Sequence, residues 1–288
     1  MEKEALESYN KAKEVSDKVI EFSKNLIKEN EKILDIAESI EKKIFELGAK
    51  PAFPVNISIN EIAAHYTPDI NDARILKLDD LVKVDIGVQV NGYIWDRAFT
   101  VCIGKESHDL IKASEKALAE ALKVIKPEAK IYEISEVVEN TVKEFGFNPV
   151  RNLCGHGLEQ YNQHAFPSIP NGKNTIKTEI KEDQVIAMEV FVTDGAGLVK
   201  ESFPTLIFKF KQDRPVRLPE ARKILALAKT EFDFLPFTKR WLLKFASPLK
   251  IDFALKQLEE VDALHSYPIL KEETNGKVAQ SEETIIVK

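Results

Sequence analysis

Residues 81–103 read LVKVDIGVQVNGYIWDRAFTVCI. β-Branched and aromatic residues flank Asn91-Gly92, a dipeptide suited to the two positive-φ positions of a tight hairpin turn. A two-residue loop pairs Val90 with Tyr93, so partner numbers sum to 183, Gly87 faces Asp96 and Asp85 faces Ala98. Side chains alternate along a strand, which puts Asp85 and Asp96 on one face as diagonal neighbours. Two carboxylates side by side on an otherwise apolar strand pair repel each other, and a divalent cation between them removes that cost. A plainly solvated face is the other reading of the same pair.

Outward from the hairpin the chain repeats itself. Residues 36–51 (IAESIEKKIFELGAKP) lie over 134–149 (ISEVVENTVKEFGFNP) at an offset of 98, with Ile36/Ile134, Glu38/Glu136, Glu41/Glu139, Glu46/Glu144, Gly48/Gly146 and Pro51/Pro149 identical. Ile40/Val138, Ile44/Val142 and Leu47/Phe145 keep the apolar face, at the spacing of an amphipathic helix. Either two ordinary helices end alike, or a helix–helix–strand unit is duplicated and its halves pack around a shared cleft. The spacing predicts two helices over 2–48, further helices near 108–125 and 131–146, and strands at 184–192, 204–210 and the final EETIIVK. Residues 211–263, opened by Pro215 and Pro219 and then helical in pattern, read as an inserted helical subdomain. The core is then 1–210 with 264–288.

With 288 residues, 44% of them apolar, the chain suffices for one large domain or two small ones. Charged residues reach 31%, above the roughly 25% usual in soluble proteins, a weak pointer to a thermophile. No apolar run approaches the roughly 18 residues of a membrane span, and the first residues lack a signal-peptide core. A net charge of −6 disfavours broad nucleic-acid binding. Two cysteines, Cys102 and Cys154, supply neither a disulfide framework nor a thiolate zinc site and fit a reducing, cytoplasmic setting; both read as buried small side chains. Of five histidines, His108 and His265 read as surface residues, which leaves His65, His156 and His164 for chemistry.

His156 sits between glycines in NLCGHGL, Glu189 interrupts the apolar run VIAMEVFV, and Glu282 or Glu283 begins the last strand. Singly, a buried His or Glu is more often structural; together with the Asp pair they form an ordered set. That set, with FPVNISINEIAAHYTP (53–68), VKVDIGVQVNGYIWD (82–96), CGHGLEQYNQHAF (154–166), PVRLPEARKIL (215–225), LPFTKRWL (235–242) and YPIL (267–270), resembles the methionine aminopeptidase family. The last three stretches resemble the helical insertion of its type II branch. The likeness spans nearly the whole chain, and without an N-terminal extension the archaeal form fits best.

The resemblance implies an α+β pita-bread fold, with duplicated halves around a central antiparallel sheet, and removal of N-terminal methionine from nascent proteins by water activated at two divalent ions (Co, Mn, Fe or Zn). It implies Asp85, Asp96, His156, Glu189 and Glu282 as metal ligands, with Asp96 and Glu282 bridging and Glu189 also acting as acid–base. His65 and His164 are implied as catalytic donors contacting substrate, and Phe53 as a wall of the methionine pocket. It implies a cytoplasmic monomer that meets its substrates in transient contact with the ribosome, away from membranes. Two departures stand out. Where the family usually reads Gln-Phe-Glu-His-Thr this chain has Gln280-Ser281-Glu282-Glu283-Thr284, which selects Glu282 as ligand and makes that end more polar. Gln163 also precedes His164 where an apolar residue is common. A prolidase-type enzyme shares the ligand set, and an inactive relative binding ribosomes or RNA is a third reading, against which stand the five filled ligand positions.

Overall fold

The computed structural model describes residues 1–288. Helices α1 (Lys3–Lys24) and α2 (Ile33–Glu46) precede strands β1 (Lys50–Pro51), β2 (Asn56–Ile59), β3 (Ile62–Ala64), β4 (Leu81–Val90) and β5 (Tyr93–Cys102). Helices α3 (Asp109–Val124) and α4 (Ile131–Glu144) precede β6 (Asn148–Pro149), β7 (Cys154–Glu159), β8 (Asn162–Pro170), β9 (Val185–Thr193) and β10 (Val199–Phe210). Then come α5 (Pro219–Thr230), β11 (Phe237–Thr238), a 3-10 turn at Lys239–Leu242, α6 (Pro248–Glu260), β12 (Leu264–Glu272) and β13 (Val278–Ile286).

The repeat holds residue by residue. Helices α2 and α4 begin and end 98 residues apart, as do β1 and β6. Both helices stop at a left-handed glycine, Gly48 and Gly146, each with φ of +79°, where a side chain would be strained. Each two-residue strand then pairs antiparallel with a long strand of its own half, β1 with β4 and β6 with β9. The apolar stripes Ile36/Ile40/Ile44 and Ile134/Val138/Val142 are buried in equivalent places; each such side chain contributes about 1.5–3 kcal/mol on transfer from water.

The main sheet runs β1-β4-β5-β13-β9-β7-β8, with β2 also on β4 and β6 also on β9. The β4–β5 register is the expected one, Val90 with Tyr93, Gly87 with Asp96 and Asp85 with Ala98. Strand β13 stands between β5 of the first half and β9 of the second. Even-numbered residues of β4 and β9 (Val84, Ile86 and Val88; Ile186, Met188 and Val190) enter the helix-side cores. Alternation sends Asp85 and Glu189 to the opposite face, which is the cleft. A second sheet, β11-β10-β12-β3, covers that cleft. This is the pita-bread arrangement that the resemblance implies. Residues 211–263 connect β10 to β12 and return to the sheet between α5 and α6 as the short edge strand β11 on β10, and α5 and α6 share an apolar cluster with Phe208, Phe237 and Leu264. The β7–β8 hairpin and β12 have no counterpart in the elements expected from sequence. No helix is long and apolar enough to cross a membrane.

Candidate metal centre

Five strands each deliver one ionisable side chain to the cleft: Asp85 from β4, Asp96 from β5, His156 from β7, Glu189 from β9 and Glu282 from β13. One ligand atom from each of Asp96, His156 and Glu282 lies within 4.8 Å of the others. Asp85 and Asp96 are diagonal neighbours on the β4–β5 ladder, close enough for each to act on the other's ionisation. His156 Nε2 lies 3.8 Å from Glu189 Oε1, and Glu282 stands directly across the ladder from Glu189. The structure thus gathers all five expected positions into one place.

The electrostatics of that place are unfavourable without a cation. Burial, then the neighbouring carboxylates, push Asp96, Glu189 and Glu282 well above the usual range for acids. Burial also raises Asp85, to about 7. Burial lowers His156 to about 4, so its ring is neutral. Its Nδ1 lies 3.3 Å from the Gly157 carbonyl oxygen; the Nδ1 hydrogen donates there and Nε2 keeps its lone pair facing the acids. Asp85 Oδ1, Asp96 Oδ1 and Glu282 Oε1 are buried with no hydrogen-bond partner. Unpartnered buried acceptors are costly, and here Asp96 and Glu282 cluster with the His156 imidazole while Asp85 stands diagonal to Asp96 in the same cleft. The donor set of carboxylate oxygens and one imidazole fits hard to borderline divalent ions.

The supporting contacts were not evident from the sequence. Thr284 Oγ1 donates to the Asp96 carbonyl oxygen at 2.7 Å and accepts from the Asp96 amide at 2.9 Å. Thr100 does the same across the strand pair, with Gln280 O and N at 2.6 and 2.8 Å. Asn171 Nδ2 donates to Glu189 O at 2.9 Å, and its Oδ1 accepts from the Phe191 amide. Gln280 Nε2 donates to Glu282 Oε2 at 3.3 Å. Glu283, the residue left open beside Glu282, turns the other way and pairs with Arg97 at 2.8 Å and the Trp95 indole at 3.3 Å. Ser281 likewise bonds Ser114 of α3 at 2.8 Å. The extra polarity of this stretch therefore lies on the helix side of the sheet and not in the cleft.

Phe53, His65 and His164 line the same cleft. Phe53 packs on Gly87: a β-carbon there would lie 2.3 Å from its ring, so glycine is what admits the phenyl group. His65 has a left-handed backbone, φ of 63°, and Nδ1 lies 3.1 Å from Pro268 O. Burial pulls its pKa down to about 4. The His164 ring stands edge-on to His156 at 4.7 Å between centroids and opens to cleft solvent. Desolvation by the cleft walls, then His156 and His65, hold it below the ordinary histidine range. Tyr267 joins them, 5.5 Å from His65 and 5.9 Å from His164 by ring centroids. By contrast, His108 caps α3, its Nδ1 accepting from the Leu110 amide, and His265 is exposed. Cys102 is buried and Cys154 half-buried, both free thiols.

Comparison with known proteins agrees with this geometry. Residues 7–217 match the description Metallopeptidase family M24. The methionine aminopeptidase of Thermococcus onnurineus is 49% identical over 282 residues, covering 98% of this chain and 96% of that protein. Among solved structures, a thermophilic Arx1 superposes with a TM-score of 0.87 at 18% identity over 99% of this chain and 88% of that one. The methionine aminopeptidase of Thermotoga maritima gives 0.71 at 20% identity over 100% and 94%; at such identities the two structures speak to the fold. Motifs, architecture and full-length sequence identity converge: the chain belongs to metallopeptidase family M24, among its methionine aminopeptidases.

Proposed function

We propose that this chain removes the N-terminal methionine from proteins and peptides with two divalent ions held by Asp85, Asp96, His156, Glu189 and Glu282. The observation that carries this reading is the gathering of three unpartnered buried carboxylate oxygens in one cleft, with Asp96 and Glu282 clustered on His156. Divalent ions bound there supply Lewis acidity and a water acidified to near neutrality. Glu189, held through Asn171, accepts a proton from the attacking water and returns it to the leaving amide nitrogen. His164, whose nitrogens make no protein hydrogen bond, is free to donate to the carbonyl oxygen as charge develops on it. His65 plays a different part from the donor implied by resemblance. Its Nδ1 hydrogen is committed to Pro268 O, so the neutral ring offers Nε2 as an acceptor for a substrate N–H. Phe53 forms an apolar wall for the methionine side chain.

In this reading residues 211–263 are an inserted subdomain on a core of 1–210 and 264–288, and the insertion reaches the cleft through Pro236. The substrates are nascent chains, met by a cytoplasmic monomer in transient contact with the ribosome. The test is peptide hydrolysis by protein stripped of metal and reloaded with Mn, Co or Fe. Release of methionine from Met-Gly-X is the expected result. No release with any metal overturns the proposal, and faster cleavage of X-Pro than of Met-Gly replaces it with the prolidase reading.

The raised acid pKa values give a second expected result. A carboxylic acid whose folded pKa lies above its unfolded value of about 4 stabilises the fold fully below that pH and loses the contribution as pH rises through the folded value. Metal-free protein should therefore lose stability from about pH 4 to beyond 7, the region to which Asp85 is raised. Added Mn should restore it most at the alkaline end, where ligands are deprotonated. Thermal melts with and without chelator across that range measure this; a gap that narrows as pH rises contradicts it.

A further inference from the structure

One polar chain that ends on the cleft wall has no part in the chemistry above. Lys209 Nζ, on β10, donates to Gln163 Oε1, on β8, at 2.8 Å. Gln163 Nε2 donates in turn to the Tyr267 hydroxyl, on β12, at 2.8 Å. Gln163 is 2% exposed, and Lys209 has no carboxylate partner within 4.0 Å. The order of the chain is fixed by charge: an ammonium group only donates, so the Gln163 carbonyl must face Lys209 and its amide must face Tyr267. The tyrosine oxygen is thereby used as an acceptor. Its own hydrogen meets no protein acceptor, and Tyr267 lines the cleft beside His65 and His164.

Beside its polar groups the cleft carries an apolar set, Phe53, Leu153, Phe191, Ile207 and Pro236. A thioether satisfies a hydroxyl donor poorly. Oxidation of methionine places a strongly polar oxygen on that sulfur and makes the side chain a good acceptor. We propose that Lys209 and Gln163 hold the Tyr267 hydroxyl as a donor toward the departing residue's side chain, so that the site takes N-terminal methionine sulfoxide as a second substrate beside methionine. Tyr267 touches the substrate, while Gln163 and Lys209 are positioning residues. The reaction is the same hydrolysis for either side chain: water gives its hydroxyl to the carbonyl carbon and a proton to the leaving nitrogen. The sulfur keeps its oxidation state. The inference rests on the aminopeptidase reading for its substrate class.

The experiment compares kcat/KM for three peptides that differ only at the first residue: methionine, methionine sulfoxide and norleucine, which keeps the shape and lacks the sulfur. Wild-type protein is expected to cleave the sulfoxide peptide faster than the norleucine one. Tyr267→Phe, Gln163→Leu and Lys209→Met should each lower the sulfoxide-to-norleucine ratio about tenfold, the loss of one good hydrogen bond, and Lys209→Arg should restore it. Calorimetric binding of free L-methionine sulfoxide against L-norleucine supplies a readout without turnover and should show the same order. If the ratio is the same in wild type and all three variants, the three residues only clamp strands together and the proposal fails. If methionine peptides are cleaved and sulfoxide peptides are refused, it also fails while the aminopeptidase reading stands. If no methionine peptide is cleaved with any metal, that reading fails instead, and the binding comparison still decides whether the pocket prefers the sulfoxide.

Discussion

Asp96→Asn is expected to abolish methionine release while raising the melting temperature of the metal-free protein at alkaline pH. Asp96 is 4% exposed, and burial, then the charges of Asp85 and Glu189, oppose its ionisation. The amide keeps the side chain's volume and removes one of the crowded charges, so the fold gains what the site loses. Asparagine cannot supply an anionic oxygen to two ions. Each kcal/mol regained should lift the melt by roughly 2–4 °C in a chain of this class. The gain should vanish near pH 4, where the wild-type carboxyl is already neutral. Turnover comparable to wild type sinks the role given to Asp96, and an alkaline melt below that of wild type sinks the electrostatic account.

Arg240→Ala should cost about 3–5 kcal/mol of stability, because it strands a buried carboxylate. Arg240 binds Glu41 through two bonds of 2.6 Å, and it also reaches Pro68 O at 3.0 Å and Thr67 Oγ1 at 3.0 Å. Glu41 accepts in addition from the Trp241 indole at 2.9 Å and the Val55 amide at 3.2 Å. Both ionised residues are under a tenth exposed. This one pair therefore fastens the 3-10 turn at Lys239–Leu242 to α2 and to the segment that carries His65. Arg240→Lys should also be costly, since a point charge cannot reproduce the paired contact. Removing both charges together, as Glu41→Gln with Arg240→Met, should cost less than Arg240→Ala alone. Urea unfolding of the three variants measures the differences; a loss under about 1 kcal/mol for the alanine variant would show that the pair is dispensable.

Features legible in the sequence are those whose determinants are local. The hairpin register follows from Asn91-Gly92 and alternation, and the duplicated helices follow from apolar spacing and a shared glycine stop. The two-residue period sends Glu282 and Glu283 to opposite faces, and the place of Glu282 between Gln280 and Thr284 in the family pattern selects it. The β7–β8 hairpin stayed hidden because its register shifts twice, around Gly157, and its residues are glycine, histidine and amides where strand patterns look for β-branched side chains. Strand β12 is defined by β10 across the whole intervening segment, and YPIL has little strand character of its own. Gln163 was visible as an odd residue, but its meaning depends on Lys209 and Tyr267, 46 and 104 positions away. Likewise nothing near Glu41 announces a partner 199 residues later.

The place of β13 in the sheet has a kinetic consequence. Its stitches to β5 join residues 180 and 188 apart in the chain, so they close loops among the longest in the molecule and form late. Each half can collapse on its own helices beforehand, leaving a seam between β5 and β9 that only β13 fills. Asp85 and Asp96 meet early on their hairpin, but Glu282 comes face to face with Glu189 only when β13 docks, so the full crowding of acids stays out of the slow early steps, where its repulsion would obstruct collapse. A cation that binds the assembled cleft favours the finished sheet over every earlier species, which makes metal supply a brake on unfolding more than an aid to nucleation.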